Sequence, residues 1–319
     1  MSVSVVICCH NSQGRIERTL QALSECRGDF AIEAILVDNA STDDTVEEAR
    51  SVWNRLRNPF DLRITSETTP GKAFAQRTGT KEARNELIVF CDDDNWLAPD
   101  YLIVTKQILS DPRIGAASGQ AEPVFEGEAP TFAYSHGNWL ALGIQSLHTE
   151  DVTDTVGYLW GAGMAVRRAD LMKIFECPAL PILSGPSGVL SIARGEDNEL
   201  CWAITGLGKR LIYDERLKIQ HFMPRERLTM EYLRKRATVT VNWDAAVERR
   251  AAGLKSTERS HWIGLALKSG VRWARHANWE QERSYQRFMF LAALGIRRGM
   301  TEFERKLYDA HKWLLSERV

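Results

Sequence analysis

Residues 1–110 alternate between two hydrophobic periodicities, and no other feature of the chain constrains its fold as strongly. Runs of β-branched and apolar residues predict strands at 2–9, 31–39, 61–67 and 86–92. Apolar residues at helical spacing follow each run, so a predicted helix succeeds every predicted strand. Four consecutive strand–helix units are typical of a parallel sheet with right-handed crossovers. We therefore expect an α/β fold in which helices flank a mainly parallel sheet.

Polar stretches follow all four predicted strands. They are His10-Asn11, Asp38-Asn39, Glu67 to Lys72, and Asp92 to Asn95. The carboxyl ends of parallel strands lie along one edge of the sheet, where ligands of such folds bind. The sequence therefore predicts a binding site at this edge.

Three adjacent carboxylates, Asp92, Asp93 and Asp94, end the fourth predicted strand, and like charges this close need compensation. Alternation along a strand points Asp92 and Asp94 to the same side and turns Asp93 aside. Two converging carboxylates suit Mg²⁺ or Mn²⁺, with substrate phosphates and water completing the coordination. The triplet alone leaves a second interpretation open, an acidic turn that caps the next helix. An EF-hand is disfavoured, because its Gly and distal Glu are missing.

The middle of the chain is less regular than the first half. A Gly-rich segment at 158–168 predicts a strand, and acidic residues start a predicted helix at 195–204. Residues 210–222 predict two short strands around a turn. From residue 228 onward the pattern is almost entirely helical.

Six blocks of the sequence, in their order and spacing, resemble family 2 glycosyltransferases with the GT-A fold. They are SVVICCHNSQGRIERTLQAL, ILVDNASTDDT, PGKAFAQRTGTKEA, VFCDDDNWLAPDYL, WGAGMAVRR and GEDNELCWAITGLGKRLIYDERLKIQH. The resemblance implies a mixed, mainly parallel sheet and an inverting, metal-dependent transfer of sugar from a nucleotide-sugar donor, with UDP as the nucleotide that the family favours. It implies a GT-A catalytic domain at 1–227, with a donor half at about 1–110, an acceptor half at about 111–227, and a helical region at 228–319.

The resemblance also assigns donor-binding roles at the strand ends. The residues implied are Cys8, His10, Asn11, Asp38, Asn39, Ser41, Gly71, Lys72, Arg77, Asp92 and Asp93. Gln76 and Arg77 stand where the family frequently has Arg and Asn, so the third block departs from its pattern. Arg225 and Arg227 follow in a loop, where guanidinium groups suit a diphosphate and a solvated basic loop is the alternative.

Catalytic and acceptor roles fall on the later blocks. The resemblance implies that Asp197 is the general base and that Glu196 orients the acceptor, although acidic residues favour a helix N-terminus anyway. Asp94 is implied as the direct ligand of Mn²⁺ or Mg²⁺, with Asp92 and His221 completing the metal site; a lone His is alternatively structural. The fifth block contributes Trp160 and Gly161 to the acceptor side, or Trp160 to the core. The acceptor class implied is a glycan or a lipid-linked glycan.

Charge is unevenly distributed along a chain whose net charge is only −1. Residues 209–319 hold 24 of the 41 basic and 13 of the 42 acidic residues, an excess of 11 positive charges, whereas residues 1–208 have an excess of 12 negative charges. Residues 260–276 predict a basic amphipathic helix that packs on the catalytic domain or on a second subunit of a homodimer, or contacts an anionic membrane. Nucleic acid is disfavoured as a partner, because no recognition motif accompanies the charge.

Compartment and rival functions complete the predictions. The six cysteines have no CxxC spacing, and neither a secretory signal nor an apolar run of about 18 residues is present, so we expect a cytoplasmic protein, or one peripheral to the inner face of the plasma membrane.

An aspartyl-nucleophile phosphatase is one alternative function, although in such phosphatases the acidic motif ends the first strand. A non-catalytic sugar-nucleotide-binding module is the other.

Overall fold

The computed structural model describes residues 1–135, 137–178, 196–232, 313–314 and 316–317. The strands are β1 (Val3–Cys9), β2 (Ile32–Asp38), β3 (Asp61–Ser66), β4 (Leu87–Asp92), β5 (Asn95–Leu97), β6 (Ile114–Phe125), β7 (Glu150–Asp151), β8 (Ala165–Arg167) and β9 (Arg210–Met223). The helices are α1 (Ile16–Ser24), α2 (Thr45–Arg55), α3 (Lys72–Glu82), α4 (Tyr101–Ile108), α5 (Thr131–Ser135), α6 (Arg168–Glu176) and α7 (Glu196–Gly206).

The strands form one mixed sheet in the order β3-β2-β1-β4-β8-β6-β9-β5, with β7 pairing β9. The four strands at the β3 end of this order pair in parallel, whereas β8 is antiparallel to β4 and to β6. The predicted α/β fold with a mixed, mainly parallel sheet is confirmed. The four strands predicted from periodicity match β1 to β4 to within about one residue at each end.

Helices cover both faces of the sheet, which explains why β1 has no polar face. Val5 and Ile7 of β1 belong to an apolar cluster that also contains residues of α1, α2 and α4. Val6 points the other way, into a cluster shared with α3, α6 and α7. All three side chains are fully buried. Truncating Ile7 to Ala should therefore cost about 2–5 kcal/mol.

Two predicted elements in the middle of the chain differ from the structure. Of the strand predicted at 158–168, only Ala165–Arg167 is strand, because a turn closed by a hydrogen bond from Met164 N–H to the Gly161 carbonyl takes the preceding residues out of the ladder. Where two short strands were predicted at 210–222, β9 is a single strand of 14 residues. Its register with β6 shifts between Ser118 and Gln120, so the polar residues that resembled a turn form a bulge.

Pairing of β5 with β9 brings distant parts of the chain together. β5 begins directly after the acidic triplet, and Asn95 pairs with His221 in antiparallel register. The N–H of Phe222 donates to the Asp94 carbonyl over 2.8 Å. The end of β9 is thereby fixed against the triplet.

The helical region predicted at 228–319, including the amphipathic segment 260–276, lies almost wholly outside the described residues. Leu314 is described, and its fully buried side chain packs against Gly206 of α7. Among the described residues, no helix combines the length and apolar character needed to cross a membrane.

Candidate active site

A cavity of about 380 Å³ lies at the carboxyl edge of the parallel strands, where the alternation predicts a site. Most of the predicted site residues line it: Cys8, His10, Asn39, Lys72, Asp92, Asp93, Asp94, Gly161, Glu196, Asp197, His221 and Arg227. They lie in or shortly after β1, β2, β4 and β9, at the starts of α3 and α7, and in the turn before β8, so one cavity gathers side chains from both halves of the chain.

Each carboxylate of the triplet has its own cation. Lys72 Nζ lies 2.9 Å from Asp92 Oδ2. An Arg15 amino group lies 2.7 Å from Asp93 Oδ2. The guanidinium of Arg227 lies 2.7 Å from Asp94 Oδ2. Three elements distant in sequence thus supply the compensation that three adjacent carboxylates require.

Asp93 faces α1. Its carboxylate accepts hydrogen bonds from Arg15 and from the hydroxyl of Ser12, and its carbonyl accepts one from Thr19. Asp92 instead pairs with Lys72, and Asp94 pairs with Arg227. The middle carboxylate therefore ties the triplet to α1, although it still borders the cavity.

Asp94 and His221 are the cavity residues best suited to hold a divalent ion. His221 Nδ1–H donates to the Ala141 carbonyl over 3.2 Å, so Nε2 is the ring nitrogen that faces Asp94, 3.7 Å from Oδ1. Burial alone would raise the pKa of Asp94, but His221 and Arg227 outweigh it and lower that pKa. The carboxylate is therefore ionised at neutral pH, as a metal ligand must be.

Asp92 does not join Asp94 and His221 in a ready-made metal cluster, contrary to the convergence that strand alternation suggested. Among the described residues, no three His, Cys, Asp or Glu side chains form a group able to hold a metal. The reason is the pairing of Asp92 with Lys72. Asp94 and His221 still fit an ion whose other ligands are donor phosphates and water, because Mg²⁺ is usually bound by one or two carboxylates plus such ligands.

Asp197 lies in the first turn of α7, and its side chain lines the cavity. A backbone hydrogen bond from Gly161 reaches the carboxylate, but Oδ1 is buried without a hydrogen-bond partner. A Cβ on residue 161 would lie 2.0 Å from this oxygen, so only glycine permits the approach. Burial, opposed by Lys72 and reinforced by Glu196 and Asp92, raises the pKa of Asp197 to about 6.

Lys72 is the cation nearest Asp197, with Nζ 3.8 Å from Oδ1. Burial alone would lower the pKa of Lys72, but the carboxylates of Asp197, Asp92 and Glu196 outweigh it and raise that pKa well above its ordinary value. The ammonium group therefore keeps its charge at every physiological pH.

Several predicted donor residues shape the loops around the cavity. Asn39 donates to the carbonyls of Glu67 and Thr69 and accepts from Gly71 N–H. The Asn39 amide therefore holds the loop before α3 in place. Asn39 also contributes a polar side chain to the cavity wall.

Asn11, Asp38 and Ser41 are not among the residues that line the cavity. The Asn11 side chain accepts hydrogen bonds from Thr42, its N–H donates to the Ser41 hydroxyl, and the Asp38 carboxylate accepts from Ser41 N–H. These bonds join the end of β1 to the loop that follows β2. Gly71 is also outside the lining; it is the N-cap residue directly before α3, with φ 134°, a conformation that favours glycine.

Trp160, Arg77 and Arg225 do not reach the cavity lining. Trp160 is only 6% exposed and packs in the core, so the structure does not support stacking of its ring on an acceptor sugar. Arg77 lies within α3, where its Nε is buried without a hydrogen-bond partner. Arg225 packs over Gly127, and its N–H donates to Glu126.

Residues that the sequence did not single out complete the lining. They are Cys9, Arg15, Ala75, Leu140, Ala141, Ala162, Met223 and Tyr232. Arg15 follows the polar end of β1 and directly precedes α1, so its place beside the site could have been found from the strand–helix alternation. Leu140 and Ala141 come from an irregular segment without a periodic signal.

Comparison with solved structures identifies the fold. The fold is that of GT-A glycosyltransferases: the mannosyltransferase PcManGT from Pyrobaculum calidifontis, solved with GDP-Man and Mn²⁺, matches with a TM-score of 0.58 at 20% identity, over 92% of this chain and 86% of that chain. The first 349 residues of S. aureus TarS, solved with UDP, match with a TM-score of 0.52 at 15% identity, over 95% of this chain and 93% of that chain.

Sequence comparison identifies the family. Residues 4–175 match glycosyl transferase family 2, and the chain belongs to this family of glycosyltransferases. It is 30% identical over 109 residues to the uncharacterized glycosyltransferase YfnE of Bacillus subtilis, covering 34% of this chain and 26% of YfnE. It is 29% identical over 105 residues to the poly(ribitol-phosphate) beta-N-acetylglucosaminyltransferase TarS of Staphylococcus aureus, covering 32% of this chain and 18% of TarS. The match thus spans less than a third of the length of these curated relatives.

Proposed function

We propose that the protein is an inverting, metal-dependent glycosyltransferase that moves a sugar from a nucleotide-sugar donor to an acceptor hydroxyl, with Asp197 as general base. The observation that carries the proposal is the unpartnered Oδ1 of Asp197, buried at the wall of a cavity that also contains Asp94 and His221. A base needs such a free lone pair and a pKa near the working pH, and that of Asp197 is raised to about 6.

The proposed reaction is a single displacement. The acceptor oxygen attacks C1 of the donor sugar and passes its proton to the Asp197 carboxylate. As the new C1–O bond forms, the bond from C1 to the diphosphate oxygen breaks, and the nucleoside diphosphate leaves with the electron pair. Attack opposite the leaving group inverts the configuration at C1. In this proposal Glu196 orients the acceptor; its position next to the base and at the cavity wall supports that role.

A divalent ion, Mn²⁺ or Mg²⁺, would be held by Asp94 and His221 and would stabilise the charge that develops on the diphosphate. The charges of the cavity wall support this part of the proposal. Its described lining contains five carboxylates and three Lys or Arg side chains, which leaves an excess of two negative charges when both histidines are neutral. One divalent cation balances that excess.

The donor class is supported by complexes of structurally similar proteins. TarS was solved with UDP and with UDP-GlcNAc, and PcManGT with GDP-Man and Mn²⁺. We infer a nucleotide sugar for this chain, with UDP as the first nucleotide to test. The proposed acceptor is a glycan or lipid-linked glycan hydroxyl, and the proposed location is the cytoplasm or the inner membrane surface.

A nucleotide-release screen tests the proposal. The protein is incubated with UDP-sugars, GDP-mannose and dTDP-sugars, each with Mn²⁺, with Mg²⁺ and with EDTA. We expect metal-dependent release of the nucleotide from at least one donor. Asp197→Asn should lower that rate at least 100-fold while donor binding stays within threefold of the wild type.

Asp170→Asn is the matched control. Asp170 also lies in the first turn of a helix, α6, is 7% exposed and has an unpartnered oxygen, but it does not line the cavity. This control should keep the wild-type rate. If Asp197→Asn keeps it as well, Asp197 is not the base; release of phosphate from simple phosphoesters would instead favour a phosphatase.

A further inference from the structure

Lys72 differs from the other Lys and Arg side chains of the described cavity wall. Arg15 and Arg227 each form a salt bridge with one carboxylate of the triplet. Lys72 Nζ lies 2.9 Å from Asp92 Oδ2 and also 3.8 Å from Asp197 Oδ1. It therefore joins the end of β4 to the start of α7, that is, the donor side of the proposed site to its base.

The loop before α3 fixes Lys72 in this place. Gly71 donates its N–H to Asn39 Oδ1, and Asn39 Nδ2 donates to the carbonyls of Glu67 and Thr69. Lys72 is the first residue of α3, and its side chain is only 23% exposed. A cation in such a fixed position also orients the carboxylate beside it. The pair loses little further conformational entropy when the two groups are held together.

The charges around Asp197 show what Lys72 contributes. Asp197 is faced by Lys72 from α3, by Asp92 from β4, by Glu196 from its own helix and by the backbone of Gly161. Two of these groups are carboxylates, and Lys72 is the cation among them. Without it, burial and two like charges would all favour a protonated Asp197, and a protonated carboxyl cannot accept the acceptor proton.

We propose that Lys72 is a positioning residue for the base, holding the Asp197 carboxylate in its ionised form at the cavity wall. This inference rests on the proposed function, in which Asp197 is the base. It gives Lys72 a role in the proton-transfer step beyond any contact with the donor. Loss of the Lys72 charge should therefore affect turnover and its pH dependence more than donor binding.

The test compares Lys72→Met, Lys72→Arg and the control Arg63→Met. Arg63 is also 23% exposed and forms a salt bridge over 2.8 Å with the buried Glu33, but it does not line the cavity. Nucleotide release from UDP-GlcNAc, or from the best donor of the screen, is measured from pH 5 to 9, and UDP binding is measured by calorimetry. ¹³C-carboxyl NMR, with Asp197→Asn for assignment, follows the titration of Asp197 without any donor.

We expect Lys72→Met to lower kcat at least 100-fold and to move the acidic limb of the rate profile and the NMR midpoint of Asp197 at least one pH unit higher. UDP binding should stay within threefold, and Lys72→Arg should recover at least a tenth of the wild-type kcat. Arg63→Met should leave kcat and the midpoint unchanged.

Two results overturn the inference. One is an unchanged NMR midpoint in Lys72→Met, and the other is a loss confined to UDP binding or KM. The proposed function fails separately, through an active Asp197→Asn variant, so the two failures are distinguishable.

Discussion

The Asp197→Asn variant should gain stability relative to the wild type as the pH rises from acidic to alkaline values. We expect this even though the substitution removes a charge beside Lys72. The pKa of Asp197 is raised to about 6 from its ordinary 3.8, chiefly by burial. A carboxyl whose pKa is higher in the folded than in the unfolded state contributes stability that is fully present below about pH 4. That contribution is lost as the pH rises through about 6. The wild type thus carries a cost at pH 8 that the amide lacks.

The size of this effect follows from the shift. One pKa unit corresponds to about 1.4 kcal/mol, so a shift of about two units gives an upper limit of about 3 kcal/mol over the whole titration. About half of it falls between pH 5 and pH 8, since the unfolded carboxyl is already ionised at pH 5. The side chain is 31% exposed, and solvent screening reduces the expected change in that interval to about 1 kcal/mol.

Urea unfolding of the wild type and Asp197→Asn at pH 5, 6.5 and 8 measures the effect. The free energy of unfolding of the variant, minus that of the wild type, should rise by about 1 kcal/mol from pH 5 to pH 8. Asp214→Asn is the control: Arg216 and its hydrogen bonds lower the pKa of Asp214 despite burial, so its cost should be constant above pH 5. A flat or falling difference for Asp197→Asn would refute the argument that burial dominates at this carboxyl.

Three further substitutions test the geometry of the cavity. Gly161→Ala places a Cβ on Asp197 Oδ1 and should lower kcat at least tenfold with UDP affinity unchanged, as steady-state kinetics and calorimetry would show. His221→Ala removes Nε2 and should weaken Mn²⁺ binding in the presence of UDP at least tenfold, measured by electron paramagnetic resonance. Arg227→Met leaves Asp94 buried without its cation and should cost about 1–3 kcal/mol of unfolding free energy at pH 7. Because the pKa of Asp94 is lowered below its ordinary 3.8 in the folded protein, that cost should begin to decline near pH 4 and should be lost as the pH falls through the lowered pKa in acid unfolding.

The donor half of the site was predictable because its residues follow strands that periodicity defines. β1, β2 and β4 are buried on both faces, and such strands give unbroken apolar runs with polar residues directly after them. The edge of the sheet, and with it the position of the triplet, follows from that pattern. The pairing of each carboxylate with its cation does not follow from that pattern. Arg227 and Asp94, for example, form a salt bridge although they are far apart in sequence, and local periodicity carries no information about such pairs.

The other half depends on pairings between segments far apart in sequence. His221 lies beside Asp94 because β9 pairs with β5, and β9 reaches that position only through a bulge opposite β6. Asp197 meets Gly161 because a turn replaces the strand predicted at 158–168. Neither event leaves a periodic signal, so these residues could be singled out only through the resemblance of their blocks to a family.

The ion pairs of the cavity link elements as well as charges. Asp93 with Arg15 joins the triplet to α1, Asp92 with Lys72 joins it to α3, and Asp94 with Arg227 joins it to the loop after β9. Burial raises the pKa of Asp93 as well as that of Asp197, but Asp93 Oδ2 accepts hydrogen bonds from Ser12 and Arg15, whereas Asp197 Oδ1 has no hydrogen-bond partner. Breaking a triplet pair should therefore loosen the fold, whereas neutralising Asp197 should relieve it. The sign of the stability change thus distinguishes a carboxylate that stabilises the site from one that is kept reactive at a cost in stability.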